Sequence, residues 1–401
     1  MNTDILHVLD KNFPPDPRVE GEIQALKNHG FKVDLITLSR DIEIGFFHSK
    51  YLCPVQKVRV SRITYKLSAL AYTIPLYHLL VTREIYRCVK RTNPKIIHVH
   101  DIRVARSVKW ISKISDIPYV LDLHENRPEI MKEYAFVKSK IGRLLISLKN
   151  WRKNEKTLIQ AALRTIVVTS TAAEYYVKRD NSKPESFCIT TNTTSEDFNN
   201  AFIKPVSQNE PYEIRLLYIG DTSERRGILD VLKAMDAAHN KRIRFDILGS
   251  SSFDDSIHEY IKQKRLQERV KMHGWVGQRE IHEALSKADF GISPLIRNEH
   301  HDTTIANKLS QYSLYSLPII VSDCIAQKSM IEKYNCGYNY KAGNISSLVS
   351  LLESIRMTLK DIPKLKSNSR RMYDKEFTNS VVYSDLVAFY SEALENIRTA
   401  S

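Results

Sequence analysis

Three stretches of this chain bring together residue types suited to binding phosphate and hydroxyl groups. The first is YIGDTSERRGI, residues 218–228, where an apolar run ends at Gly220 and Arg225-Arg226-Gly227 opens the next element. A helix N-terminus offers free N–H groups and a partial positive charge, and a guanidinium adds paired donors, so such a turn suits an anion. Either arginine alone reads equally well as a solvated surface residue. The second stretch is TTIANKLSQY, residues 303–312, in which Thr303, Thr304, Asn307 and Lys308 precede or open a helix and Gln311 follows one turn on. Lysine is a point charge suited to phosphate, and a glutamine amide can bond hydroxyls. The plainer reading makes Asn307 a helix cap and leaves Lys308 in solvent. Together the two turns could hold a diphosphate.

The third stretch lies in the first half. His98, His100 and Asp101 end one apolar run, and His124 with Glu125 ends another. An imidazole at the carboxyl end of a strand can donate to a hydroxyl or steady developing positive charge. A structural histidine bonded to Glu125 or to backbone is the alternative. Of His98 and His100, alternating along one strand, one is expected to face the open strand end, His100 being nearer to it, and the other to pack. In the loop after Pro14-Pro15, Asp16 is a helix cap or a substrate contact, and Arg18 is placed to meet a phosphate. His300-His301 lack a third ligand, so no metal site and no cofactor are expected.

These residues need a scaffold that brings strand ends together. Short apolar runs at 4–10, 31–38, 95–101, 118–124, 165–170 and 187–191 alternate with helical stretches. A second series restarts at 214–220 and continues through 243–249, 269–275, 289–293 and 318–323. Such alternation predicts parallel sheets covered on both faces, hence two Rossmann-like α/β domains with ligand loops at the strands' carboxyl ends. The expected divisions are 1–205, 206–380 and a closing helical segment, 381–401, that packs back on the first domain. Residues 200–213, polar and containing two prolines, read as the linker.

With 401 residues, 42% of them hydrophobic and 26% charged, the chain is an ordinary globular one. Five scattered cysteines without metal-ligand spacing read as reduced thiols, and the N-terminus has no secretory pattern, so a cytoplasmic protein is expected. The net charge of +14 is lopsided, because residues 1–205 hold 33 Lys/Arg against 21 Asp/Glu. Residues 51–100 hold nine basic residues and one acidic residue, Glu84. In 138–160, Ile141, Leu144, Leu145, Leu148 and Trp151 form an apolar stripe among basic residues. These segments fit either contact with an anionic membrane or a core-facing stripe with a solvated basic face. No nucleic-acid-binding motif accompanies the charge, and the apolar stretch 67–82, broken by Pro75, reads as a buried helix pair.

In order along the chain, DPRV within the opening loop, IIHVHD, YVLDLHENRPE, YIG followed by RRG, HGWV and NKLSQYSLYSLPIIVSD resemble the motifs of glycosyltransferase family 4. The resemblance implies the GT-B fold, two Rossmann-like domains facing across a cleft. It implies metal-independent transfer, with retention, from a nucleotide-diphosphate sugar to a glycan or lipid-linked acceptor, as in surface polysaccharide assembly. It places His124 beneath the transferring sugar, Arg226 and Lys308 at the donor diphosphate, and Gln311 at the donor ribose. This chain departs from the pattern where the family's two glutamates become Thr303 and Gln311, and where an arginine after Gly220 becomes Asp221. Asp302 or Glu299 is a candidate replacement acid. A sugar-nucleotide epimerase of the same architecture and a non-catalytic binding partner are the alternatives.

Overall fold

The computed structural model describes residues 3–39, 45–48, 53–61, 64, 67–73, 76–204, 214–355 and 360–400. The chain divides into two compact units, one formed by Met1–Thr191 with Val382–Ser401 and the other by Asn192–Val381. The division thus lies ahead of 205/206. Residues 192–204 remain with the second unit because Thr193 Oγ1 donates to Phe377 O and Phe198 joins that unit's core. Of the expected linker, 205–213 lie outside the described residues.

The first unit is built on eight strands: β1 (Ile5–Leu9), β2 (Val33–Ser39), β3 (Gly45–His48), β4 (Pro54–Arg59), β5 (Ile96–His100), β6 (Tyr119–Leu123), β7 (Arg164–Val167) and β8 (Phe187–Ile189). Their order is β3-β4-β2-β1-β5-β6-β7-β8, and every pairing is parallel except β3 with β4. All five residues of β1, β5 and β6 are buried, which is why these strands read as apolar runs interrupted only by His7, His98, His100 and Asp122. The chain leaves β1 for β2 on one side and returns at β5 on the other. This reversal opens a crevice at the carboxyl ends of β1 and β5. The closing helix, Ser384–Ala400, covers one sheet face with Leu386, Tyr390 and Leu394 packed among Ile5, Val19 and Val33.

The second unit carries β9 (Ile214–Ile219), β10 (Ile243–Leu248), β11 (Val270–Gly274), β12 (Phe290–Ser293), β13 (Ile319–Ser322) and β14 (Gly337–Tyr340). Their order is β11-β10-β9-β12-β13-β14, all parallel, and the reversal falls between β9 and β12. Strands β3, β4 and β14 were not expected. The basic segment holding β4, PVQKVR, buries Val55 while Lys57 and Arg59 follow on the same strand face, so charge counting hides the strand. The stripe at 138–160 also splits. Helix Leu148–Ala161 buries Trp151, Leu158 and Ile159, whereas helix Lys140–Leu145 leaves Leu144 84% exposed. In helix Leu76–Thr92, Tyr77, Val81 and Ile85 face the core but Leu76, Leu79 and Leu80 are exposed, so the expected fully buried pair is one-sided. All five cysteines are buried and none is in a disulfide. Among the described residues, no helix is long and apolar enough to cross a membrane.

Candidate functional site

The second unit gathers its candidates at the β9/β12 reversal. Gly220 ends β9 at φ 129, and Glu224–Arg226 form one 3-10 turn before helix Ile228–Ala237. Gly227 joins them at φ 74, and a Cβ there would lie 1.8 Å from Pro294 O. Only glycine fits both demands. Tyr218 reaches out of β9 and its hydroxyl donates to Asp221 O at 2.6 Å.

Lys308 is 5% exposed and its Nζ, among the described residues, has no hydrogen-bond partner. It sits 3.5 Å from the centroid of the Tyr218 ring, a cation–π contact, and 3.6 Å from where a Cβ on Gly220 would stand. Burial, then Arg226 and Arg225, push its ammonium well below the usual lysine range. A buried cation without an acceptor is costly, so the position is poised for an arriving anion. Asn307 does not cap by side chain; it is exposed and helical at φ −50. The first-turn amides of Leu309, Ser310 and Gln311 already bond Ala306 O and Asn307 O, so that turn does not present the free amides the sequence suggested.

Asp221, standing where an arginine was expected, holds the other two cations. Its Oδ2 is 3.0 Å from Arg225 Nη2 and 3.3 Å from Arg226 Nε, and Ser223 donates from both N and Oγ. Burial raises the carboxyl, but Ser223 and the two guanidiniums outweigh it and hold Asp221 below the usual range. Thr303 is buried with its hydroxyl on Glu299 O and His300 O, and Thr304 bonds His300 O. Both therefore stabilise their own turn. Asp302 is no substitute acid, since its oxygens accept from Arg297 Nε and Ile325 N. Glu299 is exposed at the start of its short helix, and Gln311 is half-buried.

The first unit gathers a buried histidine array at the carboxyl ends of β1, β5 and β6. His98 and His100 lie on one face, their rings stacked at 4.4 Å, because residues two apart on a strand point the same way. The expected division between them is thereby corrected. His7 stacks on His98 at 4.3 Å, and its Nδ1 is 2.9 Å from His100 Nε2. His98 Nδ1 meets the Tyr390 hydroxyl at 2.8 Å. Asp122 organises the open end, its Oδ2 lying 3.0 Å from His100 Nδ1 and 2.8 Å from His124 Nε2.

Arg18 also ends here, rather than at a phosphate. It is 8% exposed, its Nη2 and Nε reach Asp122 at 2.6 and 3.1 Å, and its Nη1 donates to Thr190 O at 2.7 Å. Asp16 is the helix cap, accepting from Arg18 N and Val19 N and pairing with Lys11. Burial, then Asp122, raises Glu22 well above the carboxylate range, so it is a neutral acid. Burial and mutual repulsion lower His7 and take His100 down to about 3. The array thus sets the Arg18–Asp122 ion pair among His7, His98 and His100, whose basicity burial depresses. With Asp122 accepting from Nε2–H, His124 keeps Nδ1 as an acceptor, so in its neutral form it takes a hydrogen bond from a hydroxyl.

Ligand-type atoms of His7, Glu22, His98 and His100 lie within 4.8 Å of one another, as do those of His100, Asp122 and His124. In the first group His98 stacks on both His7 and His100, whereas His100 and His124 of the second meet at 71°, and Asp122 there is already paired with Arg18.

A cavity of about 180 Å³ opens beside His100 and His124 at these strand ends, lined also by Asp10, Lys11, Asp101, Arg103, Glu125 and Arg127. Sequence reading missed Asp122, which shares a strand face with His124, and Asp10, Lys11, Arg103 and Arg127 of this lining, whose members are contributed by three separate strand-end loops.

Residues 19–193 match the family described as Glycosyltransferase Family 4, and residues 213–358 match that described as Glycosyl transferases group 1. This chain belongs to glycosyltransferase family 4. Among solved structures, sucrose-phosphate synthase from Thermosynechococcus elongatus is similar with a TM-score of 0.75 at 15% identity, covering 99% of this chain and 100% of that one. HepE of Anabaena, in complex with UDP, gives 0.73 at 12% over 97% of this chain and 100% of that one. A glycosyltransferase from Rickettsia africae gives 0.72 at 14% over 99% and 100%. No curated protein sequence matches. The glycosyltransferase has the GT-B fold of these structures, two α/β units each with its strand-end site.

Proposed function

We propose that this glycosyltransferase moves a sugar, with retention, from a nucleotide-diphosphate donor to a glycan or lipid-linked acceptor, in surface polysaccharide assembly. The observation that carries the reading is the buried Lys308 ammonium, which among the described residues has no hydrogen-bond acceptor and has Arg225 and Arg226 among its electrostatic neighbours. A diphosphate supplies the acceptor, and fixed cations stabilise the charge that leaves with the nucleoside diphosphate. No divalent ion is required in this scheme. Gln311 is assigned to the donor ribose, and His124 accepts from a hydroxyl of the reacting sugar. Replacement of both family glutamates by Thr303 and Gln311 shifts donor orientation onto neutral hydrogen bonds.

The exposed leucines Leu79, Leu80, Leu144 and Leu145, set in basic segments, support contact with an anionic membrane on the cytoplasmic side. The test is turnover of a panel of nucleotide sugars, with and without acceptors and with a chelator present. Acceptor-dependent release of nucleoside diphosphate that survives chelation is expected, and Lys308→Ala should weaken nucleotide binding by about 1.5–3 kcal/mol. Calorimetry showing unchanged affinity in that variant removes Lys308 from the site, and an epimerised sugar formed without acceptor overturns the transfer reading.

A further inference from the structure

The strongly basic first half of the chain suggests an anionic partner, yet the cavity at its strand ends is not basic. Each cation on its wall already has a carboxylate. Arg103 Nε lies 3.1 Å from Asp10 Oδ2, Arg127 Nη1 lies 2.8 Å from Glu125 Oε1, Arg127 Nη2 bonds Asp101, and Lys11 pairs with Asp16. Three cations thus face four carboxylates. The Arg103 and Arg127 side chains are 17% and 13% exposed, so these two guanidiniums are held in fixed pairs, whereas Lys11 is 46% exposed and is the looser charge at the rim.

We infer that this cavity is a subsite for an uncharged, hydroxyl-rich sugar ring and that it rejects phosphorylated sugars, an inference that rests on the glycosyltransferase reading. Five features carry it. A phosphate entering here would have to strip a guanidinium from its carboxylate and leave that carboxylate buried beside it, which costs more than the new pair returns. Sugar hydroxyls donate to carboxylates and accept from guanidinium N–H groups at once, so paired charges serve them without being broken. His124, with Nε2 committed to Asp122 at 2.8 Å, adds an acceptor on the cavity wall. A volume of about 180 Å³ is below the roughly 300–1,000 Å³ of sites for drug-sized ligands, and suits one ring. The crevice also lies at the β1/β5 reversal, where parallel sheets hold ligands.

The ring could belong to the acceptor or be the one transferred. Saturation-transfer NMR on the full chain, with nucleoside diphosphate occupying the other site, tests the inference with methyl glycosides against the same sugars as phosphates. Signal from at least one methyl glycoside, undiminished by equimolar sugar phosphate or inorganic phosphate, is expected. Replacing the nucleoside diphosphate by an intact nucleotide sugar abolishes that signal if the transferred ring occupies the cavity and preserves it if the acceptor does. The double variant Asp101→Asn/Glu125→Gln leaves Arg127 without a carboxylate and should gain sugar-phosphate affinity at least tenfold. Sugar phosphates binding the wild-type protein as tightly as their uncharged counterparts, and displacing them, overturn the inference whether or not the variant folds. Silence from the whole methyl glycoside panel overturns it too. Turnover restricted to phosphorylated acceptors sinks this subsite alone, whereas absence of nucleotide binding sinks the glycosyltransferase mechanism first.

Discussion

Lys308 and Glu155 are both charged residues made costly by burial, and each gives a measurable sign. Removing the Lys308 ammonium should help the empty protein while harming the loaded one. Lys308→Met is expected to raise ligand-free stability by about 1–3 kcal/mol, read by denaturant unfolding, and to abolish the stabilisation that nucleoside diphosphate gives the wild type. Glu155 lies fully buried with Oε2 2.7 Å from Arg179 Nη1, and burial nonetheless raises its carboxyl from 4.5 to about 7. Because its folded value exceeds its unfolded one, its stabilising effect is complete below about 4.5 and is lost as pH rises through about 7. Glu155→Gln should flatten that decline in unfolding experiments between pH 5 and pH 8, and an unchanged slope would assign the decline elsewhere. Lys308 was readable from its neighbours in sequence. Glu155 was not, since nothing in a run of lysines and asparagines tells which member turns inward.

At the scale of elements, most of the scaffold was readable and most of the site's inner wall was not. Buried parallel strands announce themselves as apolar runs, so the two series and their order could be laid out from the sequence. Side-chain partners across strands cannot be, because Arg18 and Asp122 are 104 positions apart and meet only when the first turn of the helix Pro17–Asn28 is brought to the end of β6. Arg18→Met should leave Asp122 buried and uncompensated and cost about 3–5 kcal/mol by denaturant titration. A loss below 1 kcal/mol would mean water reaches the array. Strand β4 was hidden for a different reason, the face that carries its buried Val55 also carrying Lys57 and Arg59.

At the scale of the molecule, charge and apolar exposure coincide only in part. Trp151 of the basic stripe turned inward, while Leu79, Leu80 and Leu144 stayed out. Replacing Leu79 and Leu144 together by Glu should abolish co-sedimentation with vesicles rich in anionic lipid without changing the unfolding free energy by more than about 0.5 kcal/mol. Equal sedimentation of variant and wild type would leave the leucines as ordinary surface residues. The closing helix has a consequence for birth on the ribosome. Tyr390 and Leu394 complete a core whose other members were made hundreds of residues earlier, while the second unit is contiguous in sequence. The later-encoded half can therefore settle on its own, whereas the sheet of the earlier half has one face only partly covered, by the helix Pro17–Asn28, until the closing helix is made.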